Sequence, residues 1–156
     1  MRTQIAVTAC AALVLAVAAG LIWWHRAHLA EPTQACVLRF SSGVVIDGMP
    51  LAETEPQIER GLSGRDDAGS GMLFRWPHFE QRAFWMKDTQ IPLSIAFIGP
   101  ENRVIELQDM EPFSEQQHKP AAPARMAIEV PRGTFDRLGV KAGTRLLELT
   151  CKPLSR

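Results

Sequence analysis

Trp85, Lys87, Asp88 and Glu129 are the side chains whose types and setting point to chemistry. Three of them sit in one run, "AFWMKDTQIPLSIAFI" (83–98). In an extended strand, Phe84, Met86 and Asp88 share one face, and Trp85 and Lys87 share the other. Phe84 and Met86 read as core. A lysine beside a tryptophan, on a strand bound for the interior, is less ordinary, because a buried ammonium is expensive unless paired. Two acids are candidates for that pairing. Glu129 lies inside the apolar strand "RMAIEV" and raises the same burial question with the opposite sign. Asp88 is adjacent but faces the other way. Two arrangements satisfy these residues. In one, Lys87 and Glu129 form a paired core charge that fixes strand register. In the other, Trp85, Lys87 and Glu129 floor a small polar pocket. There Trp85 would stack on a ligand, Lys87 and the arginines would hold an anionic group, and the loop 111–123 would cover the site. A hydrolase-like enzyme using Lys87 with Glu129 or Asp88 as acid and base is the competing function, but no nucleophile–base pair is visible to complete it.

Other chemistry finds little support. No phosphate-cradling "GxxxxGK" or "GxSxG" pattern occurs, and "GRDDAGSG" leads into a strand rather than a helix. Beyond the leader the only histidines are His78 and His118, forty residues apart, whereas a metal site needs clustered ligands. Met72, Met86 and Met126 lie among apolar residues and read as core filling. No catalytic set, metal site or cofactor is predicted.

The elements that position these residues are mostly strands. "CVLRF" and "GVVI" read as strands around "SSG", with a further turn at Asp47-Gly48. "TEPQIERGL" opens a short helix: Thr54 caps it, Gln57 stands three residues on, Pro56 fits the first turn, and Gly61 or Gly64 ends it. "GMLFRW" reads as a strand, "PHFEQ" as a turn and "RAFWMKD" as the next strand. "LSIAFIGPENRVIEL" is the clearest hairpin, and its first strand is apolar on both faces, so it belongs at the sheet centre. Residues 111–123 have no periodicity and three prolines. A loop that long in a small domain is usually functional or mobile. "RMAIEV" is a strand, "GTFDRLGV" a helical turn ending at Gly139, and "TRLLEL" the last strand. The fold class is therefore mainly β: a single compact β-sandwich or partly closed barrel with two short helices.

The two ends of the chain carry the domain organisation. Ile5 to Trp24 is 20 residues without a charge, long enough to span a bilayer and long for a cleaved signal peptide. Trp23 and Trp24 sit where an interfacial aromatic belt would be. Residues 1–30 are accordingly read as a signal anchor or signal peptide, 31–35 as a tether and 36–156 as the β domain. Cys36 and Cys151 flank that domain, an even pair suited to a disulfide in an oxidising compartment. The expected location is outside the cytoplasm: anchored in the inner membrane through residues 5–24 and facing the periplasm, or periplasmic if the leader is cleaved. Beyond residue 30 there are 15 basic and 17 acidic side chains, so nothing suggests a nucleic-acid partner.

Several segments also resemble a known family. "ERGLSGR" (59–65), "GMLF" (71–74), "FWMKDTQIPLSIAFI" (84–98), "RVIEL" (103–107) and "AIEVPRGTFDRLGVKAG" (127–143) are similar, in order and spacing, to domain-of-unknown-function family 192. The resemblance covers about 35–150. It implies a compact β domain with short helices, often exported, and brings no reaction with it. The positions it carries over include Arg60, Arg65, Trp85, Lys87, Thr89 and Glu129. With Asp88, these make the candidate ligand-binding set for a small polar ligand or a partner protein. Four positions depart from the family pattern: Asp88 stands where Asn is usual, Ser94 and Thr144 where Asp is usual, and Ser63 where Met is usual. The missing acid at Ser94 argues against a catalytic role built on that position, and the preferred function is a non-catalytic binding module.

Overall fold

Apolar alternation builds one curled sheet rather than two packed ones. The computed structural model describes residues 16–22 and 30–154. Its strands are β1 (Gln34–Phe40), β2 (Val45–Ala52), β3 (Met72–Glu80), β4 (Leu93–Ile98), β5 (Val104–Met110), β6 (Ala124–Pro131) and β7 (Leu146–Pro153). They form a seven-stranded sheet in the order β5-β4-β6-β3-β2-β1-β7. The helices are α1 (Glu55–Arg60), α2 (Thr134–Leu138) and a 3-10 turn at Pro100–Asn102, where the hairpin turn was expected. The sheet curls into a half-barrel. Its two outer strands approach at one end, where Arg103 bridges Arg145 and the Val104 amide donates to the Thr144 carbonyl at 2.9 Å. The sandwich alternative is thereby corrected. A strand buried on both faces looks the same in sequence whether its second face meets another sheet or, as here, helices and loops.

Both faces are covered. The concave face holds Leu38, Met49, Leu73, Ala96, Ile128 and Val130, closed by Phe135 of α2 and by Val140. The other face holds Met72, Phe74, Trp76, Ile95, Phe97 and Ala127, covered by Leu62, Met86 and Ile58 of α1. β4 is buried along its whole length, as its two-faced apolar pattern requires. α1 begins where expected: the Gln57 side-chain oxygen accepts from the Thr54 amide at 3.2 Å, and Gly61 ends the helix at φ 48°.

Cys36 and Cys151 lie directly opposite on β1 and β7 and are joined by a disulfide, with Cα atoms 4.0 Å apart. Three local expectations change. Asp47-Gly48 is an irregularity inside β2, where the β1 register shifts between Cys36 and Leu38, and not a turn. "PHFEQ" is largely the end of β3. Residues 82–88 are not a strand of the sheet. They are an extended crossing, bridged only at Phe84↔His118 and closed by a turn in which the Thr89 amide donates to the Met86 carbonyl at 3.0 Å. Of the expected leader span 5–24, only 16–22 is described; it is helical and exposed, and the rest lies outside the described residues. Among the described residues, no helix is long and apolar enough to cross a membrane.

Candidate functional site

Glu129 is placed by its backbone neighbours. On β6 it pairs with Ile95 of β4 on one side and Met72 of β3 on the other. Gly71, just before β3, is what allows the close approach. Its φ is +96°, and a Cβ there would lie 2.1 Å from the Glu129 carbonyl oxygen. The Glu129 side chain therefore rises from the middle of the sheet on the face bearing Met72, Phe74 and Ile95. It is 5 % exposed, and among the described residues no hydrogen bond or ion pair reaches its carboxyl. Burial pushes its pKa up to about 8, so the group is a neutral carboxylic acid at pH 7.

Over this face runs the crossing together with the turn and link that lead into β4, 82–92. It is pinned on one flank by the 111–123 loop, through Phe84 with His118, Met86 with Ser114, and Thr89 with Phe113. On the other flank the Gly64 amide donates to the Asp88 carbonyl at 2.8 Å, and Gln90 reaches Asp66 at 2.6 Å. Within the crossing, side chains alternate. Met86 is buried and Phe84 half-buried, while Trp85 is 52 % exposed and Lys87 is open to solvent. The Lys87 ammonium sits 5.4 Å from the Trp85 ring centre, a cation–π arrangement.

Between α1 with its following turn and this crossing lies a groove of about 400 Å³. Phe74, Trp76 and Phe84 form one wall; Phe84 meets Phe74 edge-on at 5.1 Å and Trp76 at 5.9 Å. Leu62, Met86 and Leu93 extend the apolar lining, and Glu129 lies among the lining residues at the buried end. Arg82 rests 4.9 Å from the Trp76 ring centre and pairs with Glu80 at 2.6 Å. This volume is typical of small-molecule sites, which set a few polar groups in an apolar lining.

Five of the seven candidate ligand-binding residues line the groove: Arg60, Trp85, Lys87, Thr89 and Glu129. Arg65 and Asp88 do not. Arg65 joins Arg60 in gripping Glu31, at 2.9 and 3.0 Å, while the Gln57 amide nitrogen holds the Glu31 carbonyl at 3.0 Å. The arginines thus hold an anionic group belonging to the chain's own tether. Asp88 is a turn residue at φ 56°, which accounts for Asn or Asp at that position without chemistry. The paired core charge is also corrected. Lys87 is solvent-exposed and forms no ion pair with Glu129, because the crossing leaves the sheet and carries the lysine to the groove's rim. The 111–123 loop contributes no lining residue and buttresses the crossing instead of covering the groove. Sequence reasoning did not place Trp76 or Arg82 at the site, and Phe84, read as core, both packs against the core and walls the groove. The available signal was the aromatic density of "FRWPHFEQRAFW", more rings than one strand face can bury.

Ser94, the position of the missing acid, lies on the opposite sheet face from Glu129. Its hydroxyl donates to Asp109, its cross-strand partner, at 2.6 Å. Its identity does not touch the groove.

Comparison with known proteins agrees with this architecture. A crystal structure of a protein of unknown function from Novosphingobium aromaticivorans DSM 12444 superposes with a TM-score of 0.65 at 29% identity, covering 74% of this chain and 83% of that one. A Sinorhizobium meliloti 1021 protein, described as a candidate transcription regulator, gives a TM-score of 0.67 at 30% identity, covering 78% and 95%. No curated protein matches the chain. The model of one family, DUF192, described as "Uncharacterized ACR", matches residues 40–147, and the chain belongs to that family.

Proposed function

We propose that this protein is an exported, membrane-tethered binding module, without catalysis, that takes a small polar ligand in the groove between α1 and the 82–92 crossing. The observation that carries this reading is Glu129. Its carboxyl is buried in apolar surroundings with no hydrogen bond or ion pair to a described residue, an arrangement that lowers stability and concentrates where a ligand uses it. The concave, aromatic-walled shape favours a small molecule over a partner protein. Export is supported by the Cys36–Cys151 disulfide, which persists in oxidising compartments, and by the uncharged run 5–24. The near-balance of charge beyond residue 30 leaves no positive excess for a nucleic-acid backbone, so the Sinorhizobium protein's description is not extended to this chain.

The test is a fragment screen read by ¹H–¹⁵N NMR on the full-length protein. Binders are expected to shift the Trp85 indole N–H and the Gly61 and Thr89 amides together. Binders that consistently shift another surface would reject the groove. Fractionation tests export: cytoplasmic protein in which both Cys36 and Cys151 can be alkylated would count against it.

The hydrolase-like alternative has one observation in its favour, a neutral acid with a pKa near the working pH lining a groove. It lacks the second participant. Asp88 is outside the groove, and Lys87 forms no hydrogen bond or ion pair with Glu129.

A further inference from the structure

The groove is polar at two places and apolar between them. At the buried end, Glu129 is flanked on the sheet by Ile95 and Met72. A carboxylate there would have little solvent and, among the described residues, no paired cation, so the group keeps its proton and has an O–H to donate. At the mouth, the lining cations differ in their commitments. Arg60 is engaged with Glu31, and Arg82 with Glu80. Lys87 forms no ion pair with a described residue and lies against the exposed Trp85 ring. Two acids, Glu59 and Glu80, also line the groove, so more than one negative charge on a ligand would be repelled. Between the two ends run Trp76, Phe84, Leu62 and Met86.

We propose that the groove accepts an amphipathic monoanion: a neutral oxygen acceptor resting on Glu129, a flat apolar body along the aromatic wall, and an anionic group beside Lys87 and Trp85. This rests on the groove being the ligand site and adds the ligand's class. A cationic group is disfavoured at the buried end, where it would have to ionise Glu129 in apolar surroundings, and beside Lys87 at the mouth. A ligand without an acceptor would leave the buried O–H unpaired, which discriminates strongly against such compounds.

A matched probe set tests the assignment: 4-acetylbenzoate, 4-acetylbenzamide, benzoate and 4-acetylbenzylamine, each also in a biphenyl-length version. Titrations at pH 6.5 follow the Trp85 indole N–H and the Gly61 amide of the full-length protein. One of the acetyl-carboxylates should bind at least about tenfold more tightly than its amide, its acetyl-free analogue and its amine. Lys87→Met should erase the preference over the amide. Glu129→Leu should erase the preference for the acetyl group, while Glu129→Gln, which retains a donor, should keep it. Equal or tighter binding of the amine or the amide overturns the proposal, as do preferences that survive both Lys87→Met and Glu129→Leu. If no probe moves the groove resonances, the groove reading itself fails, a distinguishable result.

Discussion

Replacing Glu129 by glutamine should change how stability responds to pH, with a sign and size that follow from the structure. The wild-type carboxyl binds its proton with a pKa of about 8 in the folded protein, against the ordinary 4.5, because burial penalises the charged form. The folded state therefore holds a proton that the unfolded chain releases between those values. A group raised in this way contributes its stability fully below pH 4.5, and that contribution disappears as pH climbs toward 8. Within the window, each pH unit removes about 1.4 kcal/mol. From pH 5 to 7.5 the loss is about 3 kcal/mol, a substantial part of the roughly 5–15 kcal/mol that holds a domain together. Glutamine is neutral throughout and loses nothing.

Urea unfolding of the wild type and Glu129→Gln at pH 5, 6, 7 and 7.5 isolates the effect. The variant's stability relative to wild type should rise by about 3 kcal/mol across the series. His118 works in the opposite direction. Burial lowers its pKa, so the unfolded chain takes up its proton first on acidification and stability is lost as pH falls. Since both proteins retain His118, that contribution cancels in the difference. A difference flat to within about 0.5 kcal/mol, or a ¹³C titration of the Glu129 carboxyl with its midpoint near 4.5, would refute the argument that burial keeps this group protonated.

Other expectations follow from the same geometry. Lys87→Met should alter stability by no more than about 0.5 kcal/mol in thermal melts, and Glu129→Leu should rescue nothing in the double variant; a large loss restored by the second change would reinstate the paired-charge arrangement. Gly71→Ala, forced to positive φ and into the Glu129 carbonyl, should lower stability by about 3 kcal/mol, measured by chemical denaturation. Replacing Cys36 and Cys151 with serine opens a loop of sequence separation 115 and should lower stability by about 5 kcal/mol on the loop-entropy account, whereas unchanged urea midpoints would mean that the bridge constrains little. Glu31→Ala frees the tether from Arg60 and Arg65; limited proteolysis should then cut near residues 30–33 faster, with a stability change of about 1 kcal/mol or less, as expected of partly exposed ion pairs.

The strands were legible wherever alternation and turn residues coincide, as at β4, whose apolar pattern on both faces announces a central position. The crossing 82–88 shows where that logic stops. Burial there does alternate, with Met86 inside and Trp85 and Lys87 outside. Any extended segment lying on an apolar surface alternates in this way. What makes a strand is a ladder partner, and the partners here are a loop residue, His118, and a few isolated carbonyls supplied from far along the chain. The same non-locality hid the parallel pairing of β2 with β3, which rests on Leu51↔Leu73 and Ala52↔Phe74 across the α1 connection. The disulfide was legible because it needed only terminal strands that pair side by side.

The candidate site was legible by residue type, and of the two arrangements its residues allowed, the paired charge is the one that does not form. Lys87 and Glu129 looked like partners because each seemed to need one. In the fold, Lys87 escapes burial, and Glu129 meets burial by staying protonated. The four departures from the family pattern then separate by location. Asp88 holds a positive-φ turn, where Asn and Asp are alike. Thr144 accepts the Lys141 amide at 3.0 Å through its hydroxyl, serving as an acceptor much as an Asp side chain would. Ser94 lies behind the sheet against Asp109. Only Ser63 lines the groove. A small hydroxyl there, in place of a long thioether, leaves the mouth wider and more polar beside the Asp88 carbonyl. The departures thus leave the floor at Glu129 and the cation at Lys87 intact, and this chain's own ligand preference should be sought at the α1 end of the groove.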